Sequence, residues 1–139
     1  MAASAPPDHP FRLPVRIYYE DTDAGGVVYY ANYLKYFERA RTEWLRAAGF
    51  DQGELARERN LLFVVRSIEA RYRQPARLDD CIDVTAQAEA IGRASVDFDQ
   101  AALASDGALL VSARVRIASL DAATFRPCVM PADILEVFR

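Results

Sequence analysis

The sequence predicts an α+β domain in which an antiparallel β-sheet wraps around one long central α-helix. Three observations carry this. From Tyr29 to Ala48, the residues Tyr33, Tyr36, Phe37, Ala40, Trp44, Leu45 and Ala48 recur at helical spacing. From Leu61 onward the apolar period changes to two and persists through four segments separated by turn signals. An antiparallel sheet with one apolar face must cover that face, and only the helix at Tyr29–Ala48 has a long enough stripe to do so.

Each element has its own signal. Residues 1–10 are rich in proline and small residues and read as a flexible tail, with residues 11–139 as one domain. Phe11 to Glu20 reads as the first strand, with Val15, Ile17 and Tyr19 on one face. The long helix follows, and Gly49 suits the position just past its end. Asp51 to Asn60 reads as a short helix or covering loop. Ile68, Ala70 and Tyr72 then alternate with charged neighbours until Pro75 ends the strand. Ile82, Val84, Ala86, Ala88 and Ala90 mark the next strand, and Gly92-Arg93-Ala94 turns the chain. Val96 and Phe98 open a further strand, Ser105-Asp106-Gly107 makes a hairpin turn, and Leu109 to Ile117 alternate to the end of the sheet. Pro131 can open a terminal helix through Phe138.

Composition excludes several classes. The chain is 52% hydrophobic and 27% charged, with a net charge of −3, so no broad basic field recruits nucleic acid. No run approaches ~18 consecutive apolar residues, so no transmembrane segment is expected. No signal-peptide pattern opens the chain. Cys81 and Cys128 match neither a disulfide framework nor a metal site; both read as reduced, buried thiols of a cytoplasmic protein. The only histidine, His9, lies in the tail, so none is left in the folded body for base or metal chemistry. No Gly-rich phosphate loop is present, and neither a metal nor a cofactor is expected.

The chemistry concentrates between the first strand and the helix, in Asp21-Thr22-Asp23-Ala24-Gly25-Gly26-Val27-Val28-Tyr29-Tyr30. Two carboxylates precede two glycines, and a helix start follows. Glycine allows close approach of a ligand to the backbone. The first helical turn offers amide N–H groups without intrahelical partners, at the positive end of the helix dipole. A carboxylate beside such donors makes a workable hydrolytic site. The same residues equally suit a capped helix and a tight turn.

This stretch resembles the active-site loop of the hot-dog-fold acyl-CoA thioesterases related to 4-hydroxybenzoyl-CoA thioesterase, in particular their Tol-Pal-associated, YbgC-like branch. The residues carrying the resemblance run from Val15 to Tyr29 and continue in Phe37-Glu38-Arg39-Ala40-Arg41-Thr42-Glu43, Phe63-Val64-Val65-Arg66, Pro75 to Asp80, Arg126-Pro127 and Pro131. One departure is visible: Tyr30 stands where that branch usually has histidine. The resemblance implies the hot-dog fold and an acyl-CoA thioesterase without a cofactor. It implies Asp23 as the catalytic carboxylate, acting either as nucleophile or as general base. It implies the backbone amide of Tyr30 as the donor that polarises the carbonyl, so the side-chain departure bears on the acyl pocket rather than on that donor. Gly26, Val27, Tyr29 and Tyr30 would line the substrate site, and Arg93 would contact CoA phosphates. Glu38 could join the site but reads more readily as a solvated carboxylate.

Two other functions fit the same fold. One is an acyl-acyl-carrier-protein thioesterase, with acyl carrier protein as partner. The other is a non-catalytic scaffold working with cell-envelope or phospholipid-synthesis proteins. The resemblance also implies a homo-oligomer, dimer or tetramer, with sites built from two chains. Open sheet edges and the outward apolar residues Leu103 and Leu110 point the same way.

Overall fold

The computed structural model describes residues 11–139; the tail and its His9 lie outside them. The chain forms β1 (Phe11–Arg16), a short 3₁₀ turn (Tyr19–Asp21), α1 (Asn32–Ala47), α2 (Gln52–Arg59), β2 (Leu61–Tyr72), β3 (Cys81–Ile91), β4 (Ser95–Leu103), β5 (Leu109–Asp121) and α3 (Ala132–Phe138). The five strands make one sheet in the order β1-β3-β4-β5-β2, and every pairing is antiparallel. The central strands therefore form a meander. β2, which precedes them in sequence, closes the far edge against β5.

α1 packs across β1, β3 and β4. Its stripe is buried as the spacing requires: Phe37, Ala40 and Trp44 are fully covered, and Tyr33, Tyr36 and Leu45 nearly so. Trp44 stacks on Phe138 at 5.3 Å and meets Phe98 edge-on at 5.7 Å. α3 thereby closes the end of the core. The buried side chains form one cluster. A single polar bolt crosses it. The amide nitrogen of Gln100, on β4, donates to the carbonyls of Phe37 on α1 (3.0 Å) and Thr85 on β3 (3.1 Å). α2 is capped by Asp51, which accepts from the Glu54 N–H at 3.0 Å, and it ends at Asn60 in the left-handed region (φ 54°).

Several expectations need correction. The first strand ends at Arg16, because the Asp21 carboxylate accepts from the Tyr18 N–H at 2.8 Å and draws the chain into the 3₁₀ turn. Tyr19 consequently does not share a face with Val15 and Ile17; it is 83% exposed. The helix begins at Asn32 rather than Tyr29: the carbonyls of Tyr29, Tyr30 and Ala31 accept from the N–H groups three residues on, at 2.9, 3.4 and 3.1 Å, as tight turns that lead into α1. Leu110 is buried within the chain and Leu103 half-buried, so neither is an outward apolar residue. Cys81 is exposed: the alternation that turns Ile82 and Val84 inward turns Cys81 outward.

Opposite the helix, the sheet carries an ion cluster. Asp97 is 6% exposed. It accepts from Arg116 at 2.7 and 3.0 Å and lies 3.7 Å from Arg114. The Arg116 hydrogen bond holds the Asp97 carboxyl below the usual carboxylate range, with burial opposing. A carboxylate whose folded value is depressed stabilises the fold above its unfolded value and loses that contribution as pH falls through the folded one. Asp97→Asn is expected to destabilise the protein by about 1 kcal/mol at neutral pH, a modest figure because the arginines are solvated. Its Tm should also change less than the parent's between about pH 4 and 2. Thermal unfolding across that range checks this, and parallel Tm–pH curves would contradict it.

Candidate active site

The Asp21–Tyr29 segment is a small hairpin, closed by its own backbone. The Tyr29 N–H donates to the Asp21 carbonyl (2.9 Å), the Asp23 N–H to the Val27 carbonyl (2.8 Å), and the Gly26 N–H to the Asp23 carbonyl (3.0 Å). Thr22 and Val28 pair as an isolated bridge. Asp23 thus opens a four-residue turn that ends on Gly26, whose φ of 79° suits glycine. The Gly25 N–H donates to Asp23 Oδ1 at 2.8 Å. That bond fixes the carboxylate, which is exposed, and leaves Oδ2 without a protein partner among the described residues. A Cβ on Gly25 would lie 3.2 Å from Asp23 Oδ1, closer than most side chains tolerate. Glycine at 25 is therefore what lets the carboxylate sit against its own turn.

Asp21 has a different task. Its side chain holds the Tyr18 N–H, and its carbonyl accepts from Tyr29 and from Asn32 Nδ2 (2.9 Å). It ties the 3₁₀ turn, the hairpin and the first residue of α1 together.

A second loop cradles the hairpin. The Val28 N–H donates to the Ala76 carbonyl at 2.9 Å, and Val27 pairs with Arg77. The Ala76 N–H donates to the Tyr33 hydroxyl on α1 at 3.1 Å. The cradle is anchored in turn: Ile17 and residues 79–80 exchange backbone bonds of 2.8 and 2.9 Å, and the Arg77 N–H donates to Asp80 Oδ2 at 2.9 Å.

Before the first turn of α1, the N–H groups of Tyr30 and Ala31 donate to no acceptor among the described residues, whereas those of Asn32, Tyr33 and Leu34 have partners. Tyr30 is 61% exposed. Its carbonyl accepts from the Tyr72 hydroxyl at 3.3 Å, and the two rings meet edge-on at 6.0 Å. Burial, with Tyr30 adding to it, pushes the Tyr72 hydroxyl above the ordinary tyrosine value, so it remains a donor at neutral pH. Val28, Tyr30, Tyr33, Tyr72 and residues 73–75 line an open cleft of about 220 Å³.

Asp23, Gly26, Val27, Tyr29 and Tyr30 thus share one hairpin and one helix start. Arg93 does not join them within this chain. It lies in the β3–β4 turn, whereas the cradle precedes Cys81 at the other end of β3. Eleven residues of strand separate the two ends, roughly 30 Å. Sequence reasoning missed Tyr72, read as part of an alternating strand face, and the structural part of Ala76 and Tyr33. The Pro75–Asp80 stretch carried part of the family resemblance, but no local chemistry in it announced a cradle.

A family model described as the thioesterase-like superfamily matches residues 17–138. The acyl-CoA thioesterase YbgC of Haemophilus influenzae is 42% identical over 131 residues, covering 94% of this chain and 96% of that protein. The acyl-CoA thioester hydrolase YbgC of Escherichia coli is 43% identical over 129 residues, covering 93% of this chain and 96% of that protein. The crystal structure of a probable thioesterase from Bartonella henselae superposes with a TM-score of 0.82 at 35% identity, over 86% of this chain and 98% of that one. The sheet order and the helix it covers are those of the hot-dog fold.

Proposed function

This chain belongs to the thioesterase-like superfamily, and from that membership we propose that it hydrolyses acyl-CoA thioesters with Asp23 as the working carboxylate. That it is a thioester hydrolase follows from the family and its relatives; the substrate and the residues are our reading. One observation carries it. A carboxylate fixed at Oδ1 by the Gly25 N–H stands in the same hairpin that delivers an uncommitted Tyr30 N–H.

The proposed chemistry follows from these groups. The Tyr30 N–H donates to the thioester carbonyl oxygen and stabilises the charge that develops there, an effect worth roughly 3 kcal/mol for such donors. Asp23 Oδ2 then works in one of two ways. It attacks the carbonyl carbon, expels the CoA thiolate and leaves a mixed anhydride that water hydrolyses. Alternatively it takes a proton from water, whose oxygen attacks the carbon and expels the same thiolate. The thiolate is a good leaving group, so neither route needs a histidine acid. Substrate packs against Gly26, Val27, Tyr29 and Tyr30. In this reading the activity belongs in the cytoplasm.

The working unit in this reading is a homo-oligomer. β2 is an edge strand and exposes Val65 (51%), Ile68 (37%) and Tyr72 (47%), an arrangement that favours pairing with a second copy. Arg93 can serve as a CoA phosphate contact only for the site of another chain, given its place at the far end of β3.

Two outcomes are expected. Purified protein should release CoA from at least one of a panel of short-chain, long-chain and aromatic acyl-CoAs, faster than it cleaves the same acyl groups on acyl carrier protein. No turnover of any CoA ester would overturn the substrate assignment. Tyr72→Phe removes one neutral hydrogen bond from the Tyr30 turn, about 1 kcal/mol, so kcat should fall about fivefold with KM nearly unchanged. A raised KM at unchanged kcat would assign Tyr72 to substrate contact instead.

A further inference from the structure

We propose that Tyr33 is a positioning residue for thioester hydrolysis: its hydroxyl ties the cradle around Ala76 to α1 and so sets the direction in which the Tyr30 N–H points. The proposal rests on the reading of that N–H as the donor to the substrate carbonyl.

The hairpin is held to the helix start at two places. On its Asp21 side the tie is direct, because the Asp21 carbonyl accepts from Asn32 Nδ2 at 2.9 Å. On its Val28 side the tie runs through the cradle. The Val28 N–H donates to the Ala76 carbonyl at 2.9 Å, and the Ala76 N–H donates to the Tyr33 hydroxyl at 3.1 Å. Among the described residues, this last is the one hydrogen bond between the cradle and α1. Val28 lies two residues before Tyr30. A shift of Ala76 therefore reaches the Tyr30 amide through one hydrogen bond and a short piece of backbone.

Tyr33 itself presents almost no surface to a substrate. It is 3% exposed, and Ala76 is fully buried. Packing fixes the Tyr33 ring, with Tyr36 edge-on at 5.9 Å and Tyr72 at 5.8 Å. Burial pushes its hydroxyl above the ordinary tyrosine value, with the Ala76 bond opposing, so it stays protonated at neutral pH and is no base. What the hydroxyl does is accept the Ala76 N–H. Removing it while keeping the ring strands that N–H in the core, and a buried donor without an acceptor costs more than its bond contributed. The cradle relieves the cost by moving, and Val28 moves with it. A donor to a developing oxyanion must lie roughly 3 Å from it. A displacement small enough to spare the fold is thus large enough to slow the reaction.

Tyr33→Phe tests this on the acyl-CoA that the parent hydrolyses fastest, and infrared spectroscopy reads the carbonyl directly. The infrared probe is an analogue of acetyl-CoA with a methylene in place of the thioester sulfur and an isotope-labelled carbonyl, which cannot be hydrolysed. Bound to the parent, its carbonyl stretch should lie below the value in solution. In folded Tyr33→Phe the stretch should return toward that value, while kcat falls at least about tenfold and KM stays within about twofold. A second variant, Ala76→lactate, removes the same bond from the other side: an ester oxygen replaces the N–H, so no orphan donor remains and the test survives if Tyr33→Phe fails to fold. It should also lower kcat, and on that ester background Tyr33→Phe should cost less than about twofold more. A lower Tm with kcat and carbonyl stretch unchanged, a loss confined to KM, an unchanged kcat in the ester variant, or a full tenfold loss on the ester background would each overturn the role of Tyr33. A parent complex whose carbonyl stretch is not lowered would instead remove the Tyr30 donor, and the proposal with it. A parent that behaves as stated, with variants that match it, removes Tyr33 alone.

Discussion

The burial of one aromatic stripe determines most of this structure. Tyr33, Tyr36, Phe37 and Trp44 lie along α1 and are covered by the sheet and by α3. Side chains of this size each contribute several kcal/mol when fully buried, and truncating one to alanine typically costs about 3–5 kcal/mol. No comparable gain is open to a helix rotated by even one residue, because the stripe would then face water. The Gln100 bolt reinforces the register, since its amide reaches both the Phe37 carbonyl and the Thr85 carbonyl from one position on β4. Once α1 is placed, so is its N-terminal end, and with it the hairpin that carries Asp23.

The hairpin is held by backbone rather than by side-chain packing. Its bonds to Ala76 and Arg77 and the Ala76 bond to Tyr33 link three segments far apart in sequence. Such a site stays in place while most of its outward side chains vary. The glycines at 25 and 26 have separate tasks: the first leaves room for the Asp23 carboxylate, and the second supplies a positive φ.

The helix, the strands and the Asp23 hairpin were legible in the sequence because each rests on local pattern. Period 3.6 marked α1, period 2 marked β3 and β5, and paired aspartates before paired glycines marked the turn. The strand order was not legible. β2 and β3 follow one another in the chain yet lie at different places in the sheet, and alternation says nothing about which strand pairs with which. Element ends failed where one side chain redirected the backbone, as when the Asp21 carboxylate captured the Tyr18 N–H. Leu110 read as outward because its neighbours alternate, whereas the register shift between Ala102 and Leu103 leaves Leu110 unpaired beside Val111 and breaks the alternation, so both are buried in the core. The place of Tyr72 beside the hairpin escaped notice for a related reason: what distinguishes it is a partner, the Tyr30 carbonyl, contributed by another element.

The central claim is that Asp23 supplies the carboxylate for thioester hydrolysis while Asp21 holds the hairpin together. Single-turnover hydrolysis of an acyl-CoA by Asp23→Asn, with folding verified by circular dichroism and Tm, tests it most directly. The substitution keeps an oxygen that can accept the Gly25 N–H, so the turn should survive. The account predicts a native fold and a rate lower by a factor of 100 or more, in line with the loss of a general base or nucleophile. A native fold with a rate within a few-fold of the parent would contradict it.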